Sequence, residues 1–150
     1  MSHHLLLILH LICATIWIGG HLYLSICLLP KILRRKDVAL LLSYEKSFEP
    51  LGMSALLLLV ITGVWMALQY GVSISQWFSF SSPIERVVSV KLILLFITIL
   101  FALSVQIRVL PKLRNNNIRK LPEMAFHIIA VTIIGIVMLI LGTFVRYGGI

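Results

Sequence analysis

The chain has 150 residues, of which 60% are hydrophobic and 12% charged, and its mean hydropathy is +1.07. That composition excludes an ordinary water-soluble domain and points to an integral membrane protein. The formal net charge of +8 would suit a nucleic-acid partner if it were spread along one face, but it is confined to two links, as set out below.

Four apolar runs follow one another, at residues 5–29, 51–70, 86–109 and 124–146. Each reaches the roughly 20 apolar residues that a helix needs to cross a hydrocarbon core of about 30 Å. Together they occupy most of the chain, so the expectation is a single membrane domain over 1–150. The first run has no basic flank before it and no clear small-x-small cleavage site, so it reads as a retained span rather than a signal peptide.

In span one, the stretch "HLICATIWIGGH" holds His10 and His21 within apolar sequence. An ionisable side chain in lipid costs on the order of 2.5–3.5 kcal/mol by insertion scales, so both need a reason. They are eleven residues apart, which at about 100° per residue returns to within about 20° of one face, about 16 Å further along the axis. Trp17 falls between them on that stripe. His3 and His4 sit before the apolar run and read as solvated. Cys13 and Cys27 are about 21 Å apart along the helix and cannot bridge each other. "LPK" at Leu29–Lys31 marks where the span leaves the bilayer, as it does again at Leu110–Lys112.

"EPLG" (Glu49, Pro50) is expected to open span two, with Glu49 as a helix cap. The outer link carries Trp77, Phe78 and Phe80, an interfacial aromatic anchor. "SSPIE" then supplies Ser82 as N-cap, Pro83 in the first turn and Glu85 as the reciprocal partner of a capping box. Lys91 lies about one and a half turns inside span three. It could snorkel to the interface, pair with an anionic group, or serve as a catalytic or proton-carrying residue. "LPE" (Leu121–Glu123) opens span four, where His127 and Met138 repeat the eleven-residue spacing on one face.

Short links make sequential spans antiparallel neighbours, so the fold class is all-α, an up-down four-helix membrane bundle without an evident internal repeat. Ten of the thirteen lysines and arginines flank the one-to-two and three-to-four links, leaving only Arg86, Lys91 and Arg146 at the other side. The positive-inside rule then puts both basic links in the cytoplasm and both termini on the outer, periplasmic side. The partner implied is the lipid bilayer, and no nucleic acid.

With spans one and four antiparallel, His21 and His127 become a depth-matched pair on the inner side, differing by roughly 6 Å. On the outer side His10 could pair with Met138 or with another ligand. Two imidazoles from facing helices can hold a haem iron, and the lead expectation is a b-type haem redox protein exchanging electrons with a quinone or another redox partner. Gly19 and Gly20 beside His21, and Gly135 and Gly142 on span four, would admit a flat macrocycle; interhelical packing is the alternative use of such glycines. Copper is the rival ligand: His10 with Cys13, and Met124 with His127, pair an imidazole with sulfur at i, i+3. A copper route would be lined by His10, Cys13, Met66 and His21. A third reading gives the histidines only helix-to-helix hydrogen bonds, and a homo-oligomer is compatible with all three.

"LHLICATIWIGGHLYL", "LVITG" (Leu59–Gly63) and "SVKLILLF" together resemble the CopD copper-resistance family. They are also similar to the HemJ group of haem-pathway membrane proteins, through His10, Trp17, Gly19, Gly20 and Lys91. The CopD likeness implies a bacterial inner-membrane protein of copper uptake or tolerance. The HemJ likeness implies b-type haem on His10 and an oxidoreductase acting on protoporphyrinogen. HemJ proteins tend to carry Pro-Arg after the first-span aromatic, where this chain has Ser25 and Ile26. The W-x-G-G form and the Thr-Gly of span two lean toward CopD.

Overall fold

The computed structural model describes residues 3–150. Four helices are long and apolar enough to cross a membrane: α1 (His3–Arg35), α2 (Val38–Gln69), α3 (Pro83–Arg114) and α4 (Ile118–Arg146). Among the described residues there is no strand. The helices are 29 to 33 residues long. At about 1.5 Å per residue each exceeds the hydrocarbon core, and its polar ends reach through the headgroup layer. This is why α1 and α3 outrun their apolar runs at both ends, and α2 and α4 at their starts.

The largest difference from the sequence reading is in α2. It begins at Val38, immediately after an Asp37 cap whose carboxylate accepts from the Leu40 N–H at 2.9 Å. Pro50 therefore lies inside the helix and does not open it. A proline there removes one hydrogen bond and crowds the preceding turn. Pro50 is exposed and lies more than three turns into the helix, so its ring faces away from the packed interior. The link between α1 and α2 is reduced to Lys36, in the left-handed conformation at φ 53°, and Asp37.

The two "LPK" prolines are accommodated differently. Each follows a five-residue π-helical turn, Leu24–Leu28 before Pro30 and Val105–Val109 before Pro111. Leu29 N donates to Leu24 O and Leu110 N to Val105 O, each five residues back. Widening the turn by one residue makes room for the ring, so both helices continue past the proline, to Arg35 and Arg114. This pattern exposes a repeat that hydropathy conceals. The two motifs stand 81 residues apart, and the same offset carries His10 onto Lys91. Gly63 of α2 meets the His10 ring, and Gly142 of α4 meets the Lys91 ammonium, with a notional Cβ 3.4 Å from the nearest atom in both cases. The bundle is two helical hairpins that share these features.

Within each hairpin the helices pack along their length, α1 on α2 and α3 on α4, and α1 also packs on α4. By contrast α2 and α3 scarcely touch, although one link joins them. The bundle is therefore open along the α2–α3 seam, with α1 and α4 as its back wall. An apolar cluster of Leu24, Leu29, Ile32, Leu41, Leu110, Leu113 and Met124 closes the end carrying the basic links. A second, with Cys13, Ala14, Trp17, Ile18, Ala55 and Val131, fills the middle. At the opposite end the capping box forms as expected: Glu85 N donates to Ser82 Oγ, and the Glu85 carboxylate accepts from the Ser79 hydroxyl and from Ser81 N. Phe78 and Phe80 of this link are exposed.

Candidate metal site

A cavity of about 240 Å³ occupies the open seam in the half of the bundle nearer the basic links. His21 of α1 and His127 of α4 both line it. Met53 and Met124 contribute thioethers from α2 and α4, and Glu45 and Glu49 lie along the α2 side. The structure thus brings together the depth-matched histidine pair and adds sulfur from two helices.

Each ring is held by its own helix. His21 Nδ1 lies 2.8 Å from the carbonyl oxygen of Trp17, and His127 Nδ1 lies 2.7 Å from that of Glu123. A carbonyl only accepts, so Nδ1 carries the proton in both rings and the lone pair resides on Nε2. A backbone carbonyl holding one ring nitrogen while the other faces a ligand is the usual arrangement around metal-binding histidines. Nothing bonds to Nε2 of His21 among the described residues, whereas Nε2 of His127 accepts from the Ser104 hydroxyl at 3.0 Å. The Trp17 indole packs on His21 with ring centres 4.6 Å apart, and Phe101 meets His127 edge-on at 5.2 Å.

The π turns supply the surrounding bonds. Ser25, inside the first, donates to the carbonyl of His21 at 2.5 Å and stands 3.2 Å from the Thr132 hydroxyl of α4. Ser104, the partner of His127, immediately precedes the second. Both histidines are therefore adjacent to backbone displaced by a proline, a setting in which π turns recur at functional sites.

Trp17 and Gly20 also line the cavity, and the remaining sequence candidates lie elsewhere. His10 bonds through Nδ1 to Thr62 Oγ1 of α2 at 2.7 Å. It belongs to the α1–α2 seam, and no hydrogen bond links it to Met138, a partly buried residue of α4. Lys91 faces Gly142 and lies within electrostatic reach of His10, and its ammonium makes no hydrogen bond among the described residues. Cys13 is a packed core residue, Cys27 is exposed, and neither Cys13 nor Met66 lines the cavity. His3, read as solvated, instead joins Gln69 Oε1 at 2.8 Å and Tyr70 OH at 3.2 Å, which ties the start of α1 to the end of α2.

The glycines lend a haem little support. A Cβ on Gly20 would stand 2.1 Å from the Phe48 ring, and one on Gly52 2.7 Å from it, so both glycines seat that phenyl group. Gly135 receives Trp17 and Ile18, and Gly142 receives Lys91. Of the glycines expected to admit a macrocycle, Gly20 and Gly135 are taken up by the protein's own side chains, Gly142 meets only the Lys91 ammonium, and Gly19 has open space beside it. The cavity also falls below the roughly 300–1,000 Å³ usual for small-molecule and cofactor sites. A single ion needs far less space. Among the described residues no three His, Cys, Asp or Glu side chains are gathered closely enough to hold a metal on their own, so a bound ion would rely on the imidazole pair and the thioethers.

Sequence reasoning overlooked Glu45, Phe48, Glu49 and Met53 as cavity residues. They share one face at i, i+3, i+4 and i+8, a signal hidden by taking Pro50 as the start of the helix.

The fold and the cavity define a four-span helical membrane protein whose core offers imidazole nitrogen and thioether sulfur to one space. Residues 43–145 match the family model of copper resistance protein D, CopD, and the chain belongs to that family. The match covers α2 through α4 and begins beyond His10, Trp17 and His21. No curated protein and no solved structure gives a significant match to the chain.

Proposed function

We propose that the chain is a copper-handling protein of the bacterial inner membrane, taking Cu(I) into the α2–α3 cavity between His21 and His127. The observation that carries this reading is that two rings from different helices, each tied through Nδ1 to a carbonyl one turn back, turn to the same cavity. Met124 and Met53 line that cavity as well. Imidazole and thioether are ligands that suit soft Cu(I), and membership of the copper resistance family agrees with this choice. A sparse ligand set suits cargo rather than a resident cofactor, because an ion that must leave has to be held weakly. The positive-inside rule places the cavity toward the cytoplasmic face.

The test is anaerobic titration of the purified protein with Cu(I) against a competing chelator. One ion per chain is expected, with nitrogen and sulfur scatterers in X-ray absorption and affinity lowered at least about tenfold by His21→Ala or His127→Ala. Copper retained unchanged in both variants, or a protein that purifies with a Soret band and takes up no copper, overturns the reading.

A further inference from the structure

Ten of the thirteen cationic side chains crowd the end of the bundle nearest the cavity, and their field opposes entry of any cation. Yet the α2 wall of the cavity presents two carboxylates one turn apart, Glu45 and Glu49. Neither caps a helix. Glu49 Oε1 accepts from Gln106 Nε2 at 2.8 Å, and among the described residues no other hydrogen bond joins α2 to α3. Glu45 makes no hydrogen bond or ion pair among the described residues; Glu49 repels its charge, and Arg114, with a weaker effect, attracts it. Both carboxylates lie on the helix face that also bears Phe48 and Met53, so the acidic wall is continuous with the imidazole and thioether donors.

We infer that Glu45 and Glu49 form the cation-admitting mouth of this cavity, with the Glu49–Gln106 bond as its closure across the seam. The inference rests on the reading of the cavity as a copper site. Carboxylates in a cleft with low-dielectric walls concentrate field lines and raise the local cation concentration, which lifts association rates by about 10- to 1,000-fold. Hard oxygen donors hold a soft ion poorly, so Cu(I) is drawn in here without being trapped and passes to His21 and His127. Phe48 lies between the two carboxylates in sequence, seated on Gly20 and Gly52 and edge-on to His21 at 6.0 Å, which puts its ring beside the path.

The experiment is stopped-flow association of Cu(I), delivered from a weak chelator, with the whole chain in nanodiscs of neutral lipid. Glu45→Gln with Glu49→Gln is expected to slow association about tenfold at low salt, with the difference shrinking as salt rises and with stoichiometry unchanged. Glu45→Gln alone keeps the closure intact and should give part of the loss. Gln106→Ala, which breaks the closure, should speed association and dissociation alike. Equal rates for the double variant and the unaltered chain, or a slowing independent of salt, overturn the mouth while leaving the copper site standing. An unaltered chain that takes no copper sinks the functional reading and this inference together.

Discussion

The Nδ1 atom of His10 lies 2.7 Å from the hydroxyl oxygen of Thr62, and Thr62 has committed its own proton to the carbonyl of Leu58, 2.6 Å away. The hydroxyl can therefore only accept from the ring, so Nδ1 of His10 is protonated and Nε2 holds the lone pair. The three membrane histidines thus share one tautomer, imposed by Leu58 through Thr62 in one case and by helix carbonyls in the others.

Replacing Thr62 by valine keeps the shape and removes the acceptor. Interhelical hydrogen bonds in membranes are worth about 0.6–2 kcal/mol, so the α1–α2 hairpin should lose about that much. Nitrogen-15 NMR of the His10 ring should show both tautomers in the variant and only the Nδ1-protonated form in the unaltered chain. A single, unchanged tautomer in Thr62→Val would show that the hydroxyl does not set it.

Gly20 and Phe48 form a second measurable contact. A methyl group at Gly20 collides with the ring, which is also fixed by stacking on Tyr44 at 5.5 Å, and Tyr44 donates its hydroxyl to the Gly20 carbonyl at 2.7 Å. Overpacking of this kind costs about 1–3 kcal/mol. Gly20→Ala should therefore destabilise the bundle by that amount, but by little in a Phe48→Ala background, because the clash has gone. Unfolding in mixed micelles measures the cycle, and strictly additive effects would refute the contact.

Ser104 competes with any ion for Nε2 of His127. A hydrogen bond of this type is worth about 0.5–1.5 kcal/mol net, so Ser104→Ala should raise Cu(I) affinity by roughly 2- to 12-fold. Competitive chelator titration reads this directly. A weaker affinity would mean that the hydroxyl assists the metal instead of masking the ring.

The positive-inside rule predicts an orientation with both basic links in the cytoplasm. A cysteine placed at Ser75, in the α2–α3 link, should react with a membrane-impermeant maleimide on intact spheroplasts, and one placed at Asn115 should react only after lysis. The exposed native Cys27 has to be replaced in both backgrounds. The opposite labelling pattern would invert the bundle.

The sequence by itself determined four spans, the Ser82–Glu85 cap and the aromatic link, because hydropathy and capping are local properties that residue order encodes directly; helical pitch made the pairing of His21 with His127 an expectation, and both residues line one cavity. The ends of the helices were less legible. Pro50, Pro30 and Pro111 read as boundaries in a local grammar, but two π turns carry the chain past Pro30 and Pro111, and the helix begun at the Asp37 cap runs through Pro50 on its exposed side. Only the tertiary structure decided what each helix turns toward its neighbours. Rotation about a helix axis is set by side-chain packing between elements far apart in sequence, and that packing gave Gly20 to Phe48, Gly142 to Lys91 and His10 to Thr62. The same packing left α2 and α3 apart, and this opening places two imidazoles, two thioethers and two carboxylates around one space.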